Sequence, residues 1–228
     1  MVEVVLVELE GVMFETRELR LESLRDALAA QGVSTAFDPD VVLGLPTRAA
    51  VVAVLNAADV RQDDVFIDLV VLTAEQAFAS RLATGGVNVA RGVRTFLERA
   101  ASAARVGAVT RLNRADATTL LRLSGLDSAF GVVVCGDDVL DPKPSSEGYQ
   151  LAIERLSRPQ RVARRAILAL EDSAPGIAAA HAARIRCIAV GDVAAHVAME
   201  ADAYVESLEG QTLATLDELS RPGQERVQ

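Results

Sequence analysis

The sequence has few cysteines and no excess of basic over acidic residues. Its two cysteines, Cys135 and Cys187, lie in apolar segments without metal-ligand spacing, which predicts buried, reduced thiols and a cytoplasmic location. The 228 residues carry a formal net charge of -9 and no long basic run, which argues against a nucleic-acid partner. No stretch reaches the roughly 18 uninterrupted apolar residues of a membrane span, and residues 1–11 predict a strand, not a targeting leader. A soluble protein that binds neither nucleic acid nor a membrane is expected.

Short apolar runs instead alternate with helical patterns along most of the chain. Buried strands are predicted at 2–9, 105–110, 130–135, 166–170, 186–190 and near 203–205. Amphipathic segments predict helices at 91–101, 113–123, 145–157, 174–183 and near 211–219. This alternation predicts an α/β fold with a doubly wound, Rossmann-like, mostly parallel sheet. Ligands of such sheets bind beyond the carboxyl ends of the strands.

One segment, 16–85, departs from this alternation. It predicts helices at 17–31, 47–58 and 63–83 with no strand among them. We therefore expect a small helical cap domain at 16–85, inserted after the first strand of a core domain formed by 1–15 and 86–228. Gly85 and Gly86 at the return to the core would allow a hinge between the two.

Acidic pairs follow two of the predicted strands. Glu8 and Glu10 leave the end of the first strand at i and i+2, and Glu171 and Asp172 end the strand at 166–170. Either pair could be a solvated strand end, and Ser173 or Asp172 could serve only as the N-cap of the next helix. Four carboxylates in one crevice would repel one another unless a cation compensated them, and hard oxygen ligands suit Mg²⁺. A magnesium site is therefore predicted.

A single lysine stands among these acids in an otherwise arginine-based chain. Lys143 lies between two prolines, where a compact ammonium could bind phosphate; the alternative is an exposed turn residue. Thr110 ends a predicted strand, and its hydroxyl with the neighbouring Arg111 could contact a phosphate oxygen. Arg48, in the predicted cap, could reach a bound anion. These residues predict a substrate with a phosphate group.

Four segments in order, "ELEGVMFET", "AVTRLNR", "GDDVLDPKPSSEGY" and "LEDSAPGIAAAHAARIRCIAVG", resemble the haloacid dehalogenase superfamily, in particular its β-phosphoglucomutase-like phosphatase branch. The resemblance covers almost the whole chain. It implies a nucleophile at Glu8, an acid/base at Glu10, a hydroxyl residue at Thr110, a phosphate-binding lysine at Lys143 and a metal-binding pair at Glu171 and Asp172.

The sequence departs from the family pattern at both catalytic acids. The family has aspartate where this chain has Glu8 and Glu10, and the extra methylene shifts each carboxylate by about 1.5 Å. Arg20 and Leu24 occupy positions where the mutases tend to have histidine and tryptophan, which favours hydrolysis over mutase activity.

Two functions follow from the resemblance. One is a Mg²⁺-dependent phosphatase acting on a small phosphorylated metabolite, with a sugar phosphate as one candidate. The alternative is a catalytically impaired phosphatase-like protein retained for binding or regulation. The sequence does not identify the substrate or the oligomeric state.

Overall fold

A parallel sheet organises the chain, which a computed structural model describes over residues 1–43, 45–85, 88–158 and 160–221. Its strands are β1 (Val4–Val7), β2 (Arg105–Val109), β3 (Val132–Val134), β4 (Ile167–Glu171), β5 (Arg186–Val190) and β6 (Ala203–Val205). They are ordered β3-β2-β1-β4-β5-β6, and every neighbouring pair is parallel. The predicted α/β fold is confirmed.

Helices connect the strands and build the segment between β1 and β2. They are α1 (Arg17–Ala30), α2 (Pro39–Val42), α3 (Thr47–Ala57), α4 (Asp64–Gly85), α5 (Val93–Ala103), α6 (Arg114–Ser124), α7 (Glu147–Leu156), α8 (Ala174–Ala182), α9 (Ala195–Ala198) and α10 (Leu213–Leu219). Each predicted helix is present, whereas α2 and α9 were not predicted because four residues are too few to show an apolar period. Within the described ranges, no helix has the length and apolar character needed to cross a membrane.

By its contacts the chain divides into two compact units, Met1–Glu15 with Asn88–Gln228, and Thr16–Val87. The first, called the core unit, contains the sheet. The second, called the helical unit, contains α1 to α4, whose apolar residues form a core of their own, including Leu24, Val51 and Val70. Gly86, predicted as a hinge residue, lies outside the described residues.

The central strand β1 is buried along its whole length. A run of four apolar residues suits this position because β1 lies between β2 and β4 and has helices over the sheet. On one face, Val4 and Leu6 belong to the same apolar cluster as Tyr149 and Ile153 of α7 and Ile177 of α8. The strand order changes direction at β1, so its carboxyl end opens at the topological switch point of the sheet.

Asp217 ties the last helix, α10, to the sheet. Its Oδ1 accepts from Arg186 Nη2 at 2.8 Å and its Oδ2 from Arg221 Nη2 at 2.8 Å. Burial would raise the pKa of Asp217, but the bonds from Arg186 and Arg221 outweigh burial and lower this pKa to about 2. Because the folded-state pKa is depressed, the stabilisation is present above pH 4 and is lost as the pH falls towards 2.

We expect Asp217→Asn to lower the free energy of unfolding at pH 7 by about 1 kcal/mol, allowing for solvent screening. The deficit should shrink between pH 4 and pH 2, as the wild-type carboxylate is protonated. Urea unfolding at pH 7 and pH 3 measures both values, with the exposed Glu218→Gln on the same helix as the control. An equal deficit at both pH values would contradict the assignment.

Candidate active site

The loop that follows β1 turns sharply at Gly11. This residue has a φ of 73°, and its amide donates to the carbonyl of Phe14 at 2.9 Å. A Cβ at Gly11 would overlap the carboxylate of Asp172, so the loop passes directly against the end of β4. Glycine satisfies both the positive φ and this close approach. The loop thereby brings the two predicted acidic pairs to the same edge of the sheet.

Glu8 is the first residue after β1, and it is 4% exposed. Its side chain folds back on the loop, so that Oε1 accepts from the backbone amides of Leu9, at 2.8 Å, and Glu10, at 3.2 Å. Its Oε2 accepts from Lys143 Nζ at 2.6 Å. Both carboxylate oxygens therefore have donors within the protein.

Lys143 reaches the ends of three neighbouring strands. Besides Glu8, its Nζ donates to Glu171 Oε1 at 2.5 Å and to the carbonyl of Val109 at 2.9 Å. Burial lowers the pKa of Lys143, but the carboxylates of Glu171 and Glu8 outweigh burial and raise it above its ordinary value. The side chain is only 12% exposed, which excludes the alternative of an exposed turn residue.

Glu171, the last residue of β4, is completely buried. Its Oε1 accepts from Lys143 and from the hydroxyl of Tyr149, the latter at 2.6 Å. Its Oε2 is a buried oxygen for which the described part of the protein offers no hydrogen-bond donor. Burial raises the pKa of Glu171, Lys143 lowers it and Glu8 raises it, with a net increase. A Cβ at Gly176 would overlap this carboxylate, so glycine at that position provides its space.

Tyr149 was not predicted as a site residue, although its position six residues after Lys143 in the "KPSSEGY" motif could have suggested it. We expect Tyr149→Phe to lower the free energy of unfolding by about 1–2 kcal/mol, because Glu171 Oε1 would lose one of its two donors at a buried position. Thermal or urea unfolding measures this loss. Tyr204→Phe, at a tyrosine that is 46% exposed, is the control. Equal effects of the two substitutions would refute a specific role for the Tyr149 hydroxyl.

Asp172 follows Glu171 and is not the cap of α8. The hydroxyl of Ser173 is that cap and accepts from the amide of Gly176 at 3.3 Å. Burial raises the pKa of Asp172 well above its ordinary value, and the charges of Glu171 and Glu8 add to this, while Arg111 and Lys143 oppose it. A carboxylate with a raised pKa is one that a nearby cation would stabilise in its charged form.

Glu10 lies on the other side of the loop, where its Oε2 accepts from Arg111 Nε at 3.0 Å. Burial lowers the pKa of Arg111, but Glu10, Glu8 and Asp172 raise it, with a net increase. Thr110 precedes Arg111 and is 4% exposed, and its Oγ1 accepts from the amide of Leu112 at 3.3 Å. The core unit therefore brings together all the predicted site residues except Arg48.

Arg48 belongs to the helical unit, in the first turn of α3. Its Nη2 pairs with Asp64 Oδ1 at 2.6 Å, and its Nε pairs with Asp68 Oδ1 at 3.2 Å. These two carboxylates raise the pKa of Arg48, above all through the hydrogen bond that Arg48 donates to Asp64, and against a smaller opposing effect of burial. Its contact with a substrate stays a prediction.

The charges of the site partly fit a divalent cation. Four carboxylates, those of Glu8, Glu10, Glu171 and Asp172, are accompanied by the two cationic side chains of Lys143 and Arg111. The buried Oε2 of Glu171 and the raised pKa of Asp172 indicate uncompensated negative charge. In the ranges covered by the structure, however, no three acidic, histidine or cysteine side chains are grouped closely enough to hold a metal ion. The carboxylate oxygens are of the kind that Mg²⁺ prefers, and the ammonium of Lys143 already pairs with two of the four acids, Glu8 and Glu171.

Comparison with known proteins identifies the family. The family model of the haloacid dehalogenase-like hydrolases matches residues 5–190, which include β1 from Val5 onward, β2 to β5 and every site residue described above. The chain belongs to the haloacid dehalogenase-like hydrolase family. The protein CbbY of Cereibacter sphaeroides is 29% identical over 201 residues, covering 82% of this chain and 84% of CbbY. The phosphorylated carbohydrates phosphatase of Thermotoga maritima is 28% identical, covering 82% and 83% of the two chains.

A solved structure of CbbY supports the similarity found between the two sequences. CbbY from Rhodobacter sphaeroides, crystallised as a variant in complex with xylulose-(1,5)bisphosphate, superposes with a TM-score of 0.79 at 27% identity. The match covers 95% of this chain and 100% of the crystallised one. The haloacid dehalogenase-like fold therefore extends over nearly the whole chain.

Proposed function

We propose that this hydrolase is a Mg²⁺-dependent phosphatase that releases phosphate from a small phosphorylated carbohydrate. The observation that carries the proposal is the buried ammonium of Lys143, which lies at the carboxyl ends of β1 and β4 between Glu8 and Glu171. An ammonium at this position can neutralise a phosphoryl group as charge develops on it. The names of two relatives, a phosphorylated carbohydrates phosphatase and a CbbY bound to a sugar bisphosphate, support the substrate class.

Each site residue has a role in the proposed reaction. A Glu8 oxygen forms a bond to phosphorus while the bond from phosphorus to the ester oxygen breaks, and Glu10 gives its proton to the departing oxygen. Glu10 then takes a proton from a water whose oxygen forms a bond to phosphorus while the bond from phosphorus to the Glu8 oxygen breaks, so that phosphate leaves and the Glu8 carboxylate is restored. Lys143, Thr110 and Arg111 hold the phosphate oxygens.

Two further parts of the proposal concern the metal and the helical unit. Glu8, Glu10, Glu171 and Asp172 would hold Mg²⁺, which when bound would neutralise charge on the phosphoryl group. The helical unit would act as a cap that selects the organic part of the substrate, with Arg48 as its candidate anion contact. The two buried, unpaired thiols, Cys135 and Cys187, are consistent with the cytoplasmic location that we also propose.

The test is phosphate release from a panel of sugar mono- and bisphosphates, measured with Mg²⁺ and again with excess EDTA. We expect turnover of at least one member with Mg²⁺ and none with EDTA. Loss of that activity in Asp172→Asn would support the proposed metal-binding role of this residue. A purified, folded protein that turned over no member of the panel would refute the proposal.

A second function is favoured by the state of Glu8. A nucleophile whose two oxygens are held by Leu9, Glu10 and Lys143 is poorly disposed to attack phosphorus. The resemblance drawn from the sequence implies aspartate at positions 8 and 10, and glutamate at both supports the alternative of a phosphatase-like protein that binds a phosphorylated ligand without turnover. Measured turnover by the wild-type protein would exclude this alternative.

A further inference from the structure

The carboxylate of Glu8 lies in a ring of donors that would suit a phosphate. Two consecutive backbone amides, those of Leu9 and Glu10, point at Oε1, and the ammonium of Lys143 contacts Oε2. Consecutive amides next to an ammonium form an anion-binding cradle in many proteins. In this chain the anion in the cradle is a side chain of the protein itself.

The length of the Glu8 side chain makes this arrangement possible. The carboxylate must bridge from its own following amides to the Lys143 ammonium, and glutamate has one methylene and one rotatable bond more than aspartate. The position of the Lys143 ammonium is fixed further, because it also donates to Glu171 Oε1 and to the carbonyl of Val109. The Lys143 ammonium is therefore held at the cradle by three acceptors, of which the Glu8 carboxylate is one.

We propose that Glu8 is a built-in occupant of the phosphate site, so that an oxyanion enters the cradle only after the Glu8 carboxylate has left it. The inference rests on the proposed function, since it concerns the same phosphate site. When the binding-competent conformation is a fraction of the population, the apparent dissociation constant rises by the inverse of that fraction. Residue 8 therefore sets the affinity for phosphate through the length of its side chain.

The test is isothermal titration of the full chain with inorganic phosphate in the presence of EDTA. Glu8→Ala removes the carboxylate and empties the cradle, so we expect it to bind phosphate at least about tenfold more tightly than the wild type. Glu8→Gln is the matched control: it removes the same charge but keeps the side-chain length and an acceptor oxygen. We expect it to bind phosphate clearly more weakly than Glu8→Ala.

The two variants separate occupancy from simple charge repulsion. Equal affinities of Glu8→Ala and Glu8→Gln would show that only the charge matters and would overturn the inference, as would a wild type that binds phosphate as tightly as Glu8→Ala. If thermal unfolding shows that Glu8→Ala does not fold, Glu8→Asp supplies the test. It keeps the charge and shortens the side chain, and binding no tighter than that of the wild type would refute the inference.

This binding experiment is independent of turnover. If Glu8→Ala gains phosphate affinity while the wild type hydrolyses no ester, the inference that Glu8 occupies the phosphate site is supported and the proposed hydrolase function is refuted. If the wild type hydrolyses esters while all residue-8 variants bind phosphate equally, the inference fails and the hydrolase function stands.

Discussion

Replacing Lys143 with methionine is expected to lower the free energy of unfolding by about 3–5 kcal/mol and to abolish phosphate release. Lys143 is the shared donor to Glu8 Oε2 and Glu171 Oε1, and both carboxylates are buried. Methionine has a similar length but no charge, so the two acids would face each other without a cation. Breaking a buried ion pair by removing one partner has an effect of this size.

The pH range of the Lys143→Met effect follows from the raised pKa of the lysine. A raised folded-state pKa gives a stabilisation that is complete below the unfolded value, about 10.4, and is lost only as the pH rises through the folded value. The deficit should therefore be constant between pH 6 and pH 9 in urea unfolding.

The control for Lys143→Met is Arg158→Met, which breaks an exposed pair with Glu154 and should leave stability little changed. A stability loss no larger than that of the control would contradict the central position of Lys143. Loss of stability with full retention of phosphate release would contradict its role in binding phosphate.

The double variant Glu8→Asp, Glu10→Asp is expected to raise kcat/KM for the best substrate of the sugar-phosphate panel by about 10²-fold. One methylene fewer withdraws each carboxylate by about 1.5 Å, and a misplacement of about 1 Å costs on the order of 10²-fold in rate. In the wild type, the longer Glu8 side chain accepts from the amides of Leu9 and Glu10 and from the ammonium of Lys143. The shorter side chain would release these donors for the substrate phosphate.

The single variants assign this gain to one position. Glu8→Asp alone should give most of it, because Glu8 occupies the cradle, whereas Glu10→Asp should give less, because the Glu10 carboxylate is paired with Arg111. Steady-state phosphate release with Mg²⁺ measures all three variants. A double variant with no more activity than the wild type would show that side-chain length at these positions does not limit the reaction.

The fold could be predicted from the sequence because its signals are local. The apolar runs that became β1, β4 and β5 are short and continuous, and helical segments separate them, which is the pattern of buried parallel strands. The departure from this pattern between β1 and β2 likewise indicated the helices of the helical unit. Among the α-helices and strands of the described residues, the four-residue helices α2 and α9 lacked a readable signal.

That the side chains of the site gather at one edge of the sheet could also be predicted, since parallel strands bring their carboxyl ends together there, whereas their roles stay predictions. Lys143 was recognisable as the single lysine of the chain, and the structure places it between Glu8 and Glu171. Which groups are paired could not be predicted, because hydrogen bonding depends on side-chain conformations that spacing does not determine. The Tyr149 bond to Glu171 and the Arg111 bond to Glu10 are examples.

The direction of the Glu8 side chain was likewise beyond sequence reasoning. The extra methylene was recognised as a problem for an attacking group, but spacing alone could not show that the carboxylate folds back onto the amides of Leu9 and Glu10. Space for the site also depends on Gly11 and Gly176, whose importance appears only when the neighbouring carboxylates are in place.

The most direct test of a phosphate site at the end of β1 is a crystal structure of the wild-type protein soaked with Mg²⁺ and a high concentration of inorganic phosphate. We predict an oxyanion bound by the amides of Leu9 and Glu10 and by Lys143 Nζ, with the Glu8 carboxylate turned away from these donors. A structure in which Glu8 keeps all three contacts and phosphate binds elsewhere, or not at all, would contradict the account.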